Sequence, residues 1–96
     1  MATLYVTELP ASAAAALQVT VVPPIAEQTV TIGGSSTASN AFNASTGLIR
    51  VHADSICSVA FGTAPTAAAT NMRFAAGQTE YFLVRPGQKI AVITNT

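Results

Sequence analysis

Short runs in which apolar and polar residues alternate, each closed by proline or glycine, recur along this sequence and leave little but a β fold open to it. Thr3–Leu9 sets Leu4, Val6 and Glu8 against Thr3, Tyr5, Thr7 and Leu9 and ends at Pro10, as an edge or arm strand would. Residues 17–22 alternate Leu17, Val19 and Val21 with Gln18 and Thr20 before Pro23 and Pro24. Residues 27–32 place Val30 and Ile32 opposite Thr29 and Thr31. Leu48–Ala53 gathers Ile49, Val51 and Ala53 on one face, and residues 56–61 gather Cys57, Val59 and Phe61. Met72–Phe74 is a short extended piece, and residues 79–85 carry Tyr81, Phe82, Leu83 and Val84. Lys89–Thr94 is apolar on both faces, with Ile90 and Val92 against Ala91 and Ile93, which marks a strand inside a sheet. No stretch sustains a helical period. About eight short antiparallel strands at a spacing of roughly 8 to 12 residues predict an all-β chain, a small β-sandwich or jelly-roll-like barrel.

The connections carry their own signals. Ser12 is placed to N-cap residues 13–16, which read as a turn or two of helix or as a loop. Gly33-Gly34 reads as a hairpin turn, and the polar residues 35–43 as a solvent-facing edge strand. Asp54-Ser55 would close a central hairpin between residues 48–53 and 56–61. Residues 62–70 show no period and no charge and read as a surface loop. Ala76-Gly77 marks a turn, and Pro86-Gly87 fits the two central positions of a type II turn.

Ninety-six residues suit one domain, with residues 1–10 available as an N-terminal arm. Charged residues are 8% of the chain and cancel to zero, so no basic field draws in nucleic acid or anionic lipid. A domain with so little repulsion between copies tends to associate, which predicts a homo-oligomer. Much of the 50% hydrophobic content is alanine, so the core falls to Val, Ile and Leu in strands. Cys57 is the single cysteine, which excludes an intrachain disulfide. Residues 1–16 hold no Lys or Arg, unlike a signal peptide, so the chain is expected to stay in the cytoplasm where it is made. Its longest apolar stretch is broken by Pro10, Ser12, Gln18 and Thr20, so no membrane partner is expected.

Candidate chemistry is sparse. Arg50, His52 and Asp54 fall at period two and would share one strand face. His52 as a general base oriented by Asp54 would still need a nucleophile and an oxyanion site, so a polar strand face with an ion pair is the favoured reading. One imidazole cannot furnish the metal site that cupin-like folds build, and Cys57, alternating with Val59 and Phe61, reads as a buried small hydrophobe. Gly33-Gly34-Ser35-Ser36 lacks the Lys and the helix of a phosphate cradle. Met72, Phe74 and Tyr81 are the candidates for a sugar-stacking surface, with core packing as the favoured alternative. The expectation is therefore no enzyme, no cofactor, no metal and no small-molecule substrate.

Residues 50–93 carry His52-Ala53-Asp54, Val59-Ala60-Phe61-Gly62, a Pro/Thr/Ala-rich loop, Ala76-Gly77, Glu80-Tyr81-Phe82, Arg85-Pro86-Gly87 and residues 89–93, Lys-Ile-Ala-Val-Ile. This segment resembles small virion proteins of tailed bacteriophages. The resemblance implies a head decoration or cement protein made in the host cytoplasm and carried on the capsid surface, with a jelly-roll-like body clamping major capsid protein subunits or other virion proteins. A head-to-tail or tail module is the alternative, a carbohydrate-binding β module the rival from another class, and a cupin-like enzyme a distant fourth. The expected contact elements are the arm, through Leu4, Tyr5, Val6 and Leu9, and the loop, through Thr63, Pro65 and Thr66, because these segments are nearly uncharged and cost little to desolvate.

Overall fold

The computed structural model describes residues 2–11 and 22–96. Eight strands run in chain order: β1 Thr3–Leu9, β2 Ala26–Thr31, β3 Thr37–Ala38, β4 Leu48–Ala53, β5 Cys57–Gly62, β6 Met72–Phe74, β7 Thr79–Leu83 and β8 Lys89–Thr94. They form two four-stranded antiparallel sheets, ordered β2-β1-β4-β7 and β3-β8-β5-β6. No helix occurs among the described residues. The all-β sandwich is as the alternation predicted. The expected strand at residues 17–22 and the capped run at 13–16 lie outside the described residues, save Val22.

The pairing has a simple logic. β2 pairs with β1, β3 with β8, β4 with β7 and β5 with β6, which are the rungs of one long hairpin. Rolling that hairpin up adds the pairs β1 with β4 and β8 with β5. Counting from β2 and placing β1 last gives sheet orders 1-8-3-6 and 2-7-4-5, the order of a jelly roll whose final strand has moved to the front. The two ends of the chain meet at one corner accordingly: the Thr3 carbonyl accepts from Asp54 N, and Asn95 N donates to the Ile56 carbonyl.

Alternation fills the space between the sheets. Leu4, Val6, Val30, Ile49, Val51 and Ala53 face Cys57, Val59, Phe74, Ile90 and Val92 across the main core. Phe82 packs on its margin, tilted against Phe61 at 5.0 Å and Phe74 at 6.1 Å between ring centroids. β8 lies inside its sheet, and Ala91 on its outward side is fully buried, as apolar residues on both faces predicted.

Several connections depart from their expected form. Gly33-Gly34 is no hairpin turn: β2 and β3 belong to different sheets, and the glycines carry the chain across, with the Gly33 carbonyl accepting from Thr94 N. Asp54-Ser55 likewise carries the chain between sheets, so β4 and β5 face one another through the core instead of pairing. Two strands with apolar faces can satisfy them either way, and the tight crossing lets the same inward residues serve. The expected edge strand at 35–43 shrinks to Thr37–Ala38, but Ser39 N and Phe42 N still donate to the Ile90 and Gln88 carbonyls, so irregular pairing with β8 continues. Gly77 at φ +80° and Gly87 at φ +82° occupy the left-handed positions of their turns, and Gln88 N closes the second on the Arg85 carbonyl.

The largest correction concerns β1. It is no arm or edge strand: β2 and β4 flank it on both sides, and Leu4, Val6 and Leu9 are buried. Pro10 stops the strand without exposing it, because a proline beyond the last rung leaves the ladder intact.

Candidate functional site

The strand parity that fills the core also decides what faces outward. On the outer face of the first sheet, register lines up Thr29, Tyr5, His52 and Thr79 in one row and Glu27, Thr7, Arg50 and Tyr81 in the next. These rows shape an open groove of about 500 Å³, lined by Tyr5, Thr7, Glu27, Thr29, Arg50 and His52 together with parts of Val6 and Gln28. Tyr5 is 46% exposed, and its ring lies 6.4 Å from the His52 imidazole at a 45° tilt. His52 Nδ1 is bound to Thr79 Oγ1 at 2.7 Å, which leaves Nε2 as the ring atom available to the groove.

Of the expected trio, Arg50 and His52 share this face, and Asp54 does not join them. Its carboxylate accepts the Thr3 backbone N–H at 2.7 Å at the strand's end, a structural bond at the corner where the sheets connect. Neither the Arg50 nor the Glu27 side chain has a hydrogen-bond or ion-pair partner among the described residues, so the ion pair expected along the strand is not formed. Among the described residues no three His, Cys, Asp or Glu side chains come together as metal ligands. Cys57 is buried, and its burial, with the charge of Asp54 beside it, pushes the thiol pKa up to about 11. A thiol so reluctant to ionise is a core group in this fold.

A second surface lies along the side where β6 and β7 end their sheets. Phe61, Phe82, Val84, Met72 and Leu83 line an apolar cleft of about 300 Å³ rimmed by Arg85 and Gln88. Met72 is 52% exposed and Leu83 72%. Both bordering strands have an unpaired edge among the described residues, so backbone donors and acceptors adjoin exposed apolar side chains.

Of the expected contact residues, Tyr5 alone among those of β1 reaches a surface, in the groove. Thr63 and Thr66 are exposed and Pro65 half-buried on a loop that is docked on the second sheet. Ala67 N donates to Ser36 Oγ at 2.8 Å, and Asn95 Nδ2 donates to Ser58 Oγ at 2.7 Å and to the Ala69 carbonyl at 3.1 Å. Under it Ser58, on the outward side of its strand, is fully buried. The sugar-stacking trio is not assembled: Phe74 lies in the core, Met72 on the open side and Tyr81 against Leu9 and Leu48.

Glu8 escaped sequence reasoning. It follows Leu4 and Val6 onto the inward face, is 3% exposed, and accepts from Thr46 Oγ1 at 2.7 Å, Asn43 N at 2.8 Å and Gln28 Nε2 at 3.0 Å. Gln28 in turn grips the Asn40 backbone, accepting from its N–H at 2.9 Å and donating to its carbonyl at 3.3 Å. Its parity among the inward apolar residues was the available signal; its partners lie 20 to 38 residues away and left none. Comparison with protein-family models, with curated proteins and with solved structures returned no match.

Proposed function

We propose that this domain is a structural protein of a tailed-bacteriophage particle, held to major capsid protein subunits by its β6–β7 side. The observation that carries this reading is the composition of the apolar cleft: Phe61, Phe82 and Arg85, which line it, all fall within the stretches that resemble virion proteins. An exposed apolar surface beside unpaired strand edges is suited to a protein partner, with main-chain hydrogen bonds for affinity and the cleft for specificity. Zero net charge adds no repulsion when many copies crowd onto one shell, and repetition there turns weak contacts into stable attachment. The expected homo-oligomer and the capsid-surface location belong to the same proposal. A position at the head-to-tail junction or on the tail would use the same surface.

Mixing the protein with particles that lack it, followed by sedimentation, tests the reading. The intact domain is expected to pellet with particles in a saturable ratio. A variant carrying Met72→Lys and Leu83→Lys is expected to stay in the supernatant while keeping its β circular-dichroism spectrum. Failure of the intact protein to bind overturns the proposal, and undiminished binding of the folded variant removes the cleft from it.

A further inference from the structure

We infer that the groove on the outer face of the β2-β1-β4-β7 sheet binds a saccharide bearing a carboxylate, a ligand unrelated to attachment through the β6–β7 side. The solvated face of an antiparallel sheet carries polar residues, and opposite charges placed directly across neighbouring strands pair. Here they are not so placed. Glu27 and Arg50 flank Thr7 in one row, their backbones two strand spacings or roughly 9.6 Å apart by sheet geometry, and neither side chain has a partner among the described residues. A guanidinium on one wall and a carboxylate on the other, held apart on a rigid sheet, leave a polarised slot between them.

The remaining groups define what fits that slot. Tyr5 offers an exposed ring, the surface on which the C–H face of a pyranose stacks. His52, fixed through Nδ1 by Thr79, presents Nε2 from the adjacent position in Tyr5's row. The hydroxyls of Thr7 and Thr29 can each donate and accept, as sugar hydroxyls require. Arg50 matches a carboxylate through its planar fork, and Glu27 accepts from hydroxyls at the far end. A volume of about 500 Å³ has room for a mono- or disaccharide, inside the usual range for small-ligand sites. An ordinary neutral sugar would leave Arg50 without its anion, and a simple carboxylate would leave Tyr5 uncovered.

Amide-resolved NMR titration of the whole domain with glucuronic acid, glucose and acetate as separate probes tests this. Glucuronic acid is expected to shift the amides of Tyr5, Thr29, Arg50 and His52 in a saturable way, at least about ten-fold more tightly than glucose or acetate, because it alone engages both the ring and the fork. Arg50→Gln should abolish the preference over glucose, and Tyr5→Ala the preference over acetate, with each variant's thermal unfolding checked against the parent. Shifts from acetate equal to those from glucuronic acid would reduce the groove to an unspecific anion contact and overturn the inference. Shifts scattered outside the groove, or none at all, would overturn it too, whatever the sedimentation experiment gives.

Discussion

The two long sides of the sandwich are finished in opposite ways. Along the β2–β3 side, Gln28 on the edge of one sheet clasps the Asn40 backbone of the other, and Glu8 gathers Thr46, Asn43 and Gln28 around a buried carboxylate. Along the β6–β7 side no such clasp spans the gap among the described residues, and Phe61, Phe82, Met72 and Leu83 border an open apolar cleft. Hydrogen bonds between buried groups lock one geometry, because any other leaves a desolvated donor or acceptor unmet. Apolar side chains left at an open margin are under no such constraint and remain available to a partner. One side is closed by hydrogen bonds within the fold; the other is left open, as the proposed contact surface requires.

The harshest way to break that contrast is to remove the strand on which the closed side rests. Deleting residues 1–9 takes out Glu8 and the interior strand β1, which buries Leu4, Val6 and Leu9. Each such side chain is worth about 1.5–3 kcal/mol, and the total equals a large part of a small domain's stability. The truncated protein is expected to be unfolded by circular dichroism. A folded, cooperatively melting product would mean that β1 is the detachable arm that Pro10 suggests.

A gentler break targets the carboxylate alone. Glu8→Ala leaves the Thr46 hydroxyl, the Asn43 N–H and one Gln28 N–H without their acceptor inside the fold. A loss of about 3 kcal/mol is expected, which lowers the melting temperature by roughly 12–24 °C for a domain of this size. Glu8→Gln keeps one carbonyl oxygen and should lose less. If Ala and Gln were equally mild, the polar seam would contribute little and the contrast between the sides would collapse.

These cases show what was and was not legible in the sequence. The bounds of β1, β6 and β8 could be read directly, because alternation and a terminating turn determine where a strand lies. Partnership could not. Pro10 announces an end and says nothing of neighbours, while Gly33-Gly34 and Asp54-Ser55 announce a change of direction without saying whether the next strand lies beside the last or across the core. Leu9 on the otherwise polar face of β1 was the one hint that this end is covered; it is buried with Leu48 against Tyr81. The groove was half visible: Arg50 and His52 follow from period two, but Glu27, Thr29 and Tyr5 join them only through a register linking β2, β1 and β4.

The contrast is sharpened by asking whether the open side is wet within. Cys57 pairs in register with Phe74 on β6, next to that side, yet is fully buried, and its pKa is pushed up to about 11. A thiol whose folded pKa lies above its unfolded value adds stability that is fully present below the unfolded value and lost as pH rises through the folded one. Stability should therefore fall between about pH 9 and 11 more steeply in the parent than in Cys57→Ala, as measured by urea unfolding at each pH. Equal slopes would mean that water already reaches the thiol in the native fold. Native Cys57 is likewise expected to resist an aqueous thiol reagent until the chain unfolds.

The smallest effect on folding is expected where the proposed effect on function is largest. Leu83 is 72% exposed at the free edge of β7, so folding removes little of it from water. Replacing it by Lys gives up little burial and adds a charge that edge strands commonly carry as protection against pairing with other chains. A change within about 0.5 kcal/mol is expected, a small fraction of that for Glu8→Ala, and urea unfolding of the two variants side by side measures the ratio. If Leu83→Lys instead destabilised the domain as much as Glu8→Ala does, the leucine would be part of the core's closure, and the β6–β7 side would serve folding no less than its opposite. Near-neutral stability would leave a large apolar side chain that folding does not require at the margin of the cleft, where burial against another surface is its remaining source of stabilisation.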